Sequence, residues 1–544
     1  MHIALSSDRD DRVTITPIDG PGEQQSVTRA ALPAAVSLLE AQHPRWVWDD
    51  TSRWYPALLA AGVRVERCVD LRLCRAILRN SELTASSTLA TAAADRWDDP
   101  AADDRPPDGL FDLDEKPRLD PVAEFARQQD AAVPAIGLLL AAESAGSLIA
   151  AEMQYAGLPW RADLHNELLT RTLGARPLPG ARPAVMERVL GEVRRHLAAL
   201  HLNPDSPLDL LKALKRAGMQ VSSTSKWELE KVEHPAIRPL LEYKKLARLL
   251  SANGWHWLET NVRDGRFRPE YVVGGVVTGR WASKGGGGAL QLPKQIRGAV
   301  VADPGWKLVV ADASQLEPRI LAGMAADRGM VEAGSAGDLY AGIVARGAVK
   351  TRDEAKVAML GAMYGATTGE SGRLMPALTR AFPQAIGLVE QAARAGERGE
   401  KVTTRLGRSS PVPGEEWHDI QSRASADGAT DAAQSRARAE ARSWGRFTRN
   451  FVVQGTAAEW AMCWMASLRR SLHDLAGGSW ITKSAHLVFF MHDEVVIHCP
   501  AGQADAVAEA VRTAAAEAGR LLFGSLPVEF PLTVAIVDNY GQAK

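Results

Sequence analysis

The stretch HLVFFMHDEVVIHC, residues 486–499, decides the fold. An apolar run reaches His492, Asp493 and Glu494, then resumes as Val495, Val496 and Ile497. Its length and its branched and aromatic content read as two strands that meet at the acids. Burying an unpaired carboxylate costs more than strand propensity returns, so adjacent acids inside an apolar hairpin pattern demand a ligand. A tight turn holding exposed acids is the plainer alternative, and the absence of Gly or Asn counts against it. A second strand, in KLVVADASQLEPR from Lys307, ends on Asp312. Alone, that Asp reads as a cap for the following helix. If Asp312 and Asp493 converge, they can hold two Mg²⁺ ions, which would activate an attacking oxygen and neutralise a pentavalent phosphate. The pattern points to phosphoryl or nucleotidyl transfer.

Between these strands lies TRDEAKVAMLGAMYGAT, from Thr351, in which Arg352, Lys356, Leu360 and Tyr364 recur every fourth residue. On a helix they form one slowly drifting stripe about 18 Å long. A triphosphate could lie on Arg352 and Lys356 while its base stacks near Leu360 and Tyr364. Taken alone, such a stripe is an ordinary amphipathic helix with solvated cations.

The rest of the chain frames these segments. Its 544 residues suggest three or four domains. A composition of 46% hydrophobic, 24% charged and 6% aromatic residues excludes a fibrous or wholly disordered chain. Cys68, Cys74, Cys463 and Cys499 are far apart and form no CxxC pair, which argues against a disulfide framework or zinc ribbon and fits a reducing compartment. The most apolar stretch, from Val133 to Leu148, is broken by Pro134 and Glu143, and the first residues do not resemble a signal peptide. The expected protein neither spans a membrane nor is secreted. Its net charge of −1 averages two unlike parts. Residues 1–150 carry 15 Lys and Arg against 24 Asp and Glu, a balance of −9, whereas residues 151–544 carry 49 against 41, a balance of +8. The basic part suits a polyanion partner.

Residues 1–80 read as a small α/β unit, with strands from His2 to Leu5 and Val13 to Ile18 and a helix from Leu32 to Ala41. Residues 96–121 are dense in Asp and Pro and read as an acidic loop. Residues 122–260 carry helical periodicity, and strand-like runs return after Arg263, in EYVVGGVVTG, WKLVVAD, HLVFFMHDEVVIHC and LTVAIVD. A long helical insertion separates them from about Leu316 to Leu472.

Together, DASQLEPR, RDEAKVAMLGAMYG and MHDEVV resemble the first palm motif, the fingers helix and the second palm motif of family A DNA polymerases, the group that includes bacterial DNA polymerase I and its Klenow fragment. TGRWAS, QIRGAVVADPGWKLV, KVTTRLGR and RFTRNFVVQGTAAEWA add to the resemblance, which runs from about residue 140 to the C-terminus. It implies an α/β multidomain chain: a ribonuclease H-like α/β exonuclease-type domain (1–135), then a right-hand polymerase. The latter would comprise a helical thumb (136–262), an antiparallel-sheet palm (263–322 and 449–544) and helical fingers (323–448). No counterpart of a 5′ nuclease domain is expected.

The resemblance also implies roles. Asp312 and Asp493, with the carbonyl of Ala313, would bind two Mg²⁺ ions, with Mn²⁺ as a substitute, and Glu494 would support the primer terminus and metal site. Arg352 and Lys356 would hold the triphosphate, with Lys356 placed to protonate the leaving pyrophosphate. Ser314, Gln315, Leu360 and Tyr364 would line the dNTP site, and Glu317 would occupy the space a ribose 2′-OH needs. Arg280, Arg446, Asn450, Gln454 and His492 would touch the primer-template duplex through phosphates and the minor groove. The implied protein is a monomeric, cytoplasmic, nucleoid-associated enzyme of DNA replication or repair gap filling.

The sequence departs from the family pattern in places. Leu360 stands where Phe or Tyr is usual, Pro318 where Leu is, and Tyr340 where a His commonly contacts the triphosphate, while SKGGGGALQLP replaces a more ordered template-strand motif. None of these removes a metal ligand or a triphosphate cation. In the exonuclease-type domain, the first strand runs into Ser6 and Ser7 where a DxE pair is expected. Asp8 and Asp10 read as a hairpin turn, Arg53 falls where a metal-binding Asp belongs, and Asp130 is the persuasive remnant. A site short of two ligands lacks the charge to hold its ions, so proofreading is expected to be absent. A single-subunit RNA polymerase-like enzyme is the nearest competing reading, opposed by Glu317. An inactive DNA-binding scaffold is the other, opposed by retention of Asp312, Asp493, Arg352 and Lys356.

Overall fold

The computed structural model describes residues 1–7, 12–99, 119–284, 292–365 and 369–543. Asp8 and Asp10, most of the acidic loop and the run from Gly285 to Gly288 lie outside the described residues. The chain forms two compact units. The first comprises residues 1–156, 270–284 and 309–536, and the second residues 157–269, 285–308 and 537–544.

The first unit contains two larger sheets and a two-stranded one. The N-terminal one has five strands in the order Gln25–Thr28, Arg12–Asp19, His2–Ser7, Arg45–Trp48, Arg67–Asp70. The first three are antiparallel neighbours, and the last two join His2–Ser7 in parallel. Parallel neighbours need crossovers, which helices Leu32–Glu40 and Thr51–Ala60 supply. Trp46, Val47 and Trp48 are all fully buried, as expected of a strand covered on both faces.

The second sheet has the order His486–Met491, Glu494–Pro500, Trp306–Ala313, Leu532–Val537. Against it lie the helices Leu316–Ala325 and Ala504–Phe523 and the 46-residue helix Asp431–Ala476. Of the expected strand EYVVGGVVTG only Tyr271–Val272 is extended, paired with Ala282–Ser283. Gly274 at φ +62° and Gly279 at φ +82° turn the backbone through a region strands do not use.

Helix Gly137–Ala156, expected to open the thumb, belongs to the first unit instead. By length and composition the stretch Pro134–Ala156 could cross a membrane, yet 56% of its window is buried inside the fold. It is apolar almost all round because other elements cover it. Its two acids are paired: Glu143 with Arg408 at 2.8 Å, and Glu152 with Arg64 and Arg469. The Glu152 carboxylate accepts from Tyr55 Oη at 2.6 Å, from Arg64 at 2.9 and 3.1 Å, and from Arg469 at 2.7 and 3.0 Å. Arg469 also donates to the carbonyls of Val65 and Glu66. Burial would raise the Glu152 pKa, but the two guanidiniums hold it far below the usual carboxylate range. One buried acid thus fastens the N-terminal sheet, the apolar helix and the long helix together.

The second unit is mostly helical: Ala162–Leu173, Ala184–His196, Pro207–Arg216, Ile237–Asn253 and Trp255–Asn261, with a small sheet of two-residue strands. The C-terminal segment closes on it. Val301 bridges Asn539, and the Arg297 guanidinium lies 4.4 Å from the centre of the Tyr540 ring.

Glu152→Ala leaves two buried guanidiniums uncompensated, so it should cost about 3–5 kcal/mol of stability, read as a lower denaturant midpoint. An unchanged midpoint would contradict this account.

Candidate active site

Strand Trp306–Ala313 is buried from Leu308 to Ala311 and delivers a half-buried Asp312 at its end. The Ala313 N–H donates to the Asp493 carbonyl at 2.9 Å, which sets the two expected metal-binding aspartates on adjacent strand ends. In the neighbouring hairpin Met491 pairs with Glu494, leaving His492 and Asp493 as a two-residue turn. A tight turn therefore forms, but it does not hold exposed acids: Asp493 is half-buried and Glu494 buried. His492 itself supplies the positive φ, at +59°, a conformation in which His is more frequent than most residues. Glu494 is buried on its strand directly after the turn. Burial and the nearby charge of Arg280 lower the His492 pKa, with Glu317 opposing.

Two of the expected residues converge on a third, Glu317. Arg280 donates to one of its oxygens at 2.5 Å, and the Tyr364 hydroxyl donates to the other at 2.5 Å. Burial, together with the bond to Glu317, pushes the Tyr364 phenol up to about 12. Both carboxylate oxygens are therefore committed, and the side chain is fixed.

Tyr364 and the stripe before it stand on helix Arg352–Tyr364. The helix opens with a capping box between Thr351 and Glu354 and ends at Gly365, φ +72°. It buries Ala355, Ala358, Met359, Ala362 and Met363 and leaves Arg352, Lys356 and Tyr364 exposed, with Leu360 half-buried against the core. Lys356 has no partner among the described residues. Arg352 does: its Nε donates to Asp338 at 2.8 Å, and its guanidinium lies 5.6 Å from the Tyr340 ring centre. Asp338 also accepts from Gln315 Nε2 at 2.7 Å and caps helix Leu339–Ala345. Burial works to raise the Asp338 pKa, but the bonds from Arg352 and Gln315 hold it down at about 2. Gln315, at φ +56°, turns the chain from the Asp312 strand into helix Leu316–Ala325, and its Oε1 accepts from Leu339 N–H at 2.8 Å. Ser314 donates its N–H to the Pro531 carbonyl at 3.1 Å. Sequence reasoning did not name Asp338. Its signal was an Asp one residue before a helix.

Arg446, Asn450 and Gln454 follow at four-residue intervals on Asp431–Ala476, the first exposed and the others half-buried. The Arg446 stem lies against Gly365, where an added Cβ would come within 2.8 Å of its Cγ. Gln454 reaches the Tyr364 hydroxyl. Five residues further on, the fully buried Glu459 accepts from Thr404 Oγ1 and from Leu406 N–H at 2.9 Å, which anchors the KVTTRLGR turn to the long helix. This role was also missed from sequence, since Glu459 sits in an apolar stretch with no charged neighbour to mark it.

Among the described residues no three His, Cys, Asp or Glu side chains gather to enclose a metal unaided. Two carboxylates and a carbonyl are nevertheless a hard-oxygen donor set that fits Mg²⁺, an ion usually held by one or two carboxylates plus substrate phosphates and water.

Acids at adjacent strand ends, an exposed cationic helix face and a polar ladder on the long helix are the elements of a nucleotidyl-transfer class of fold. The model of DNA polymerase family A matches residues 194–542, and the chain belongs to that family. Among its relatives, the thermostable DNA polymerase I of Thermus aquaticus is 25% identical over 354 residues, covering 59% of this chain and 38% of the relative. DNA polymerase I of Chloroflexus aurantiacus is 27% identical over 333 residues, covering 56% and 32%. The chain thus spans about a third of the length of these relatives. The fold is similar to that of the POL domain of Pol1 from M. smegmatis, solved in complex with a DNA primer-template and dNTP. That match has a TM-score of 0.67 at 18% identity and covers 99% of this chain and 95% of that one.

Burial raises the Glu459 carboxyl to about 7, with the bonds from Thr404 and Leu406 opposing. Between the ordinary Glu value and about 7 the folded chain keeps a proton that the unfolded chain has released. That contribution to stability therefore falls as pH rises through this window and then levels. Melting temperatures of wild type and Glu459→Gln, compared across the window, should differ by an amount that changes with pH. A constant difference would refute the assignment.

Proposed function

We propose that the chain is a template-directed DNA polymerase, acting as a monomer, that adds dNTPs to a primer 3′ end by two-metal nucleotidyl transfer without proofreading. The observation that carries this is the juxtaposition of Asp312 and Asp493 through the Ala313 hydrogen bond, beside a carboxylate held by both Arg280 and Tyr364. Asp312, Asp493 and the Ala313 carbonyl would hold two Mg²⁺ ions. When bound, such ions ease deprotonation of an attacking hydroxyl and offset charge on the phosphate.

The remaining work falls to side chains. Lys356 and Arg352 bind the triphosphate, and Lys356 carries a proton toward the leaving pyrophosphate. Asp338 holds Arg352 at the same end of the helix until the phosphates arrive. Glu317, immobilised on both oxygens, fills the place of a ribose 2′-OH and so selects deoxynucleotides. That immobility favours a DNA over an RNA polymerase. Arg280, Arg446, Asn450, Gln454 and His492 contact the primer-template, reading pairing geometry rather than sequence.

The N-terminal sheet is read here as an exonuclease-type domain in which an arginine stands where a metal ligand would. Arg53 donates to Asp49 at 3.0 Å and to the Ser7 hydroxyl, on the first strand, at 2.7 Å. An internal cation there opposes the entry of another. The remnant acid Asp130 is exposed on helix Pro121–Ala131, whose buried acid, Glu124, is instead bound to Arg75 at 3.0 Å.

Primer extension tests the proposal. Wild type should extend a matched primer with Mg²⁺ and dNTPs, and Asp493→Ala should lose about 10²–10⁴-fold, the several kcal/mol that metal stabilisation supplies. Glu317→Ala should raise the share of rNTP incorporated. Without dNTPs a mismatched 3′ end should stay intact. No extension by wild type, or undiminished extension by Asp493→Ala, would sink the reading, and excision of the mismatch would sink its proofreading part.

A further inference from the structure

Two glycines of the turn that leads to Arg280 rest on one buried ion pair. Gly274, at φ +62°, has the Glu143 carboxylate where a Cβ would stand, and Gly279, at φ +82°, has the Arg408 Nε 2.5 Å from that position. The pair joins helix Gly137–Ala156 to the 401–410 turn: Arg408 Nη2 donates to Glu143 Oε2 at 2.8 Å, and Glu143 is almost wholly buried. A side chain on either glycine would displace one of the two charged groups. The backbone between the glycines is closed on itself, since Gly279 N–H donates to the Val276 carbonyl at 2.7 Å and Val276 N–H to the Arg280 carbonyl at 3.1 Å. Arg280 therefore leaves a loop that has the ion pair as its floor.

That floor is braced from two sides. Three residues after Glu143 on the same helix, Gly146 lies against Trp281, where an added Cβ would come within 3.3 Å of the indole. From the other side, Arg408 N–H donates to Thr404 Oγ1 at 2.9 Å, and that hydroxyl donates to the buried Glu459. A buried ion pair ordinarily does no more than hold two elements together, and it leaves the chain above it free to carry any side chain. Here the backbone sits against the charged atoms themselves, one residue from Arg280, whose guanidinium holds a Glu317 oxygen at 2.5 Å.

We infer that the Glu143–Arg408 pair is a positioning element for nucleotide sugar selection: it sets the turn that carries Arg280, and Arg280 in turn holds Glu317 in the space of a ribose 2′-OH. The inference rests on the polymerase reading above. In this role the pair acts through Glu317 rather than on the nucleotide itself.

Single-nucleotide primer extension by the full chain, with dNTP and rNTP supplied separately, gives the ratio of the two kcat/KM values. Glu317→Ala should lower the ratio. Glu143→Gln, which removes the charge and keeps the shape, should lower it by about 10-fold, the scale of one charge-assisted hydrogen bond, while kcat/KM for the dNTP changes less. Gly279→Ala, which crowds Arg408 from the turn side, should do the same. Added to Glu317→Ala, Glu143→Gln should change the ratio no further, since the group it positions is gone. Glu152→Gln, which alters a buried acid paired with Arg64 and Arg469 instead, should lower the melting temperature and leave the ratio at its wild-type value. An unchanged ratio in Glu143→Gln beside a lowered one in Glu317→Ala would overturn the inference, as would a full further loss in the double variant. If Glu317→Ala left the ratio unchanged, the role given to Glu317 would fail and the inference with it, whereas no extension by wild type would sink the polymerase reading as a whole.

Discussion

A single backbone hydrogen bond, from Ala313 N–H to the Asp493 carbonyl, fixes the register on which the proposed site depends. Strand side chains alternate between faces, so a slip of one residue between Trp306–Ala313 and its neighbour would send Asp312 to the opposite side of the sheet. The buried run from Leu308 to Ala311 prevents that slip, because moving it would expose apolar side chains. The hairpin is pinned on its side by the Met491–Glu494 pair and by His492 in the left-handed region. Packing of apolar residues thus sets the separation of two acids that would otherwise repel each other.

The second constraint is Glu317. A carboxylate bonded to an arginine on one oxygen and a tyrosine on the other has no rotamer freedom left, so its volume is always present. Exclusion by a fixed group needs no attractive contact with the correct nucleotide. The same bonds tie the turn around Arg280, the strand-to-helix corner and the end of helix Arg352–Tyr364 to one point. At the other end of that helix Asp338 does a parallel job for Arg352 and Gln315. The helix that carries the stripe is tethered at both ends, by a single carboxylate each, to the corner that follows the acid-bearing strand, through Gln315 at one end and Glu317 at the other.

Much of this was legible in the sequence, because strands, acids and the four-residue stripe are local patterns. HLVFFMHDEVVIHC forms the expected hairpin, the expected helix at Leu32 is present, and Arg352, Lys356 and Tyr364 do share an exposed face. What was not legible depends on partners distant in the chain. Glu152 matters because of Tyr55, Arg64 and Arg469, and Glu459 because of Thr404 and Leu406, pairings that no local periodicity marks. EYVVGGVVTG misled because its branched and aromatic residues favour a strand while Gly274 and Gly279 leave the extended region. Gly137–Ala156 misled because an all-apolar helix carries no sign of which unit will cover it.

The N-terminal sheet gains a structural meaning from the same long-range pairings. Ser81 donates to the Gly407 carbonyl at 2.6 Å, Glu82 N–H to Ser409 Oγ at 2.8 Å, and Thr403 Oγ1 to Glu82 at 3.0 Å. The turn so held is the one Glu459 anchors to the long helix from the other side, and Arg408 within it reaches Glu143. Arg469, further along the long helix, is bound to Glu152 and to the carbonyls of Val65 and Glu66. The long helix therefore meets the N-terminal layer at two places, one near its middle through the 401–410 turn and one near its end through Glu152. Helix Asp431–Ala476 also carries Arg446, Asn450 and Gln454, so the residues that fix its position include some from the N-terminal layer. None of these contacts uses Asp49, Arg53 or Asp130, so the part the N-terminal layer plays in mounting the long helix does not depend on any chemistry at those residues.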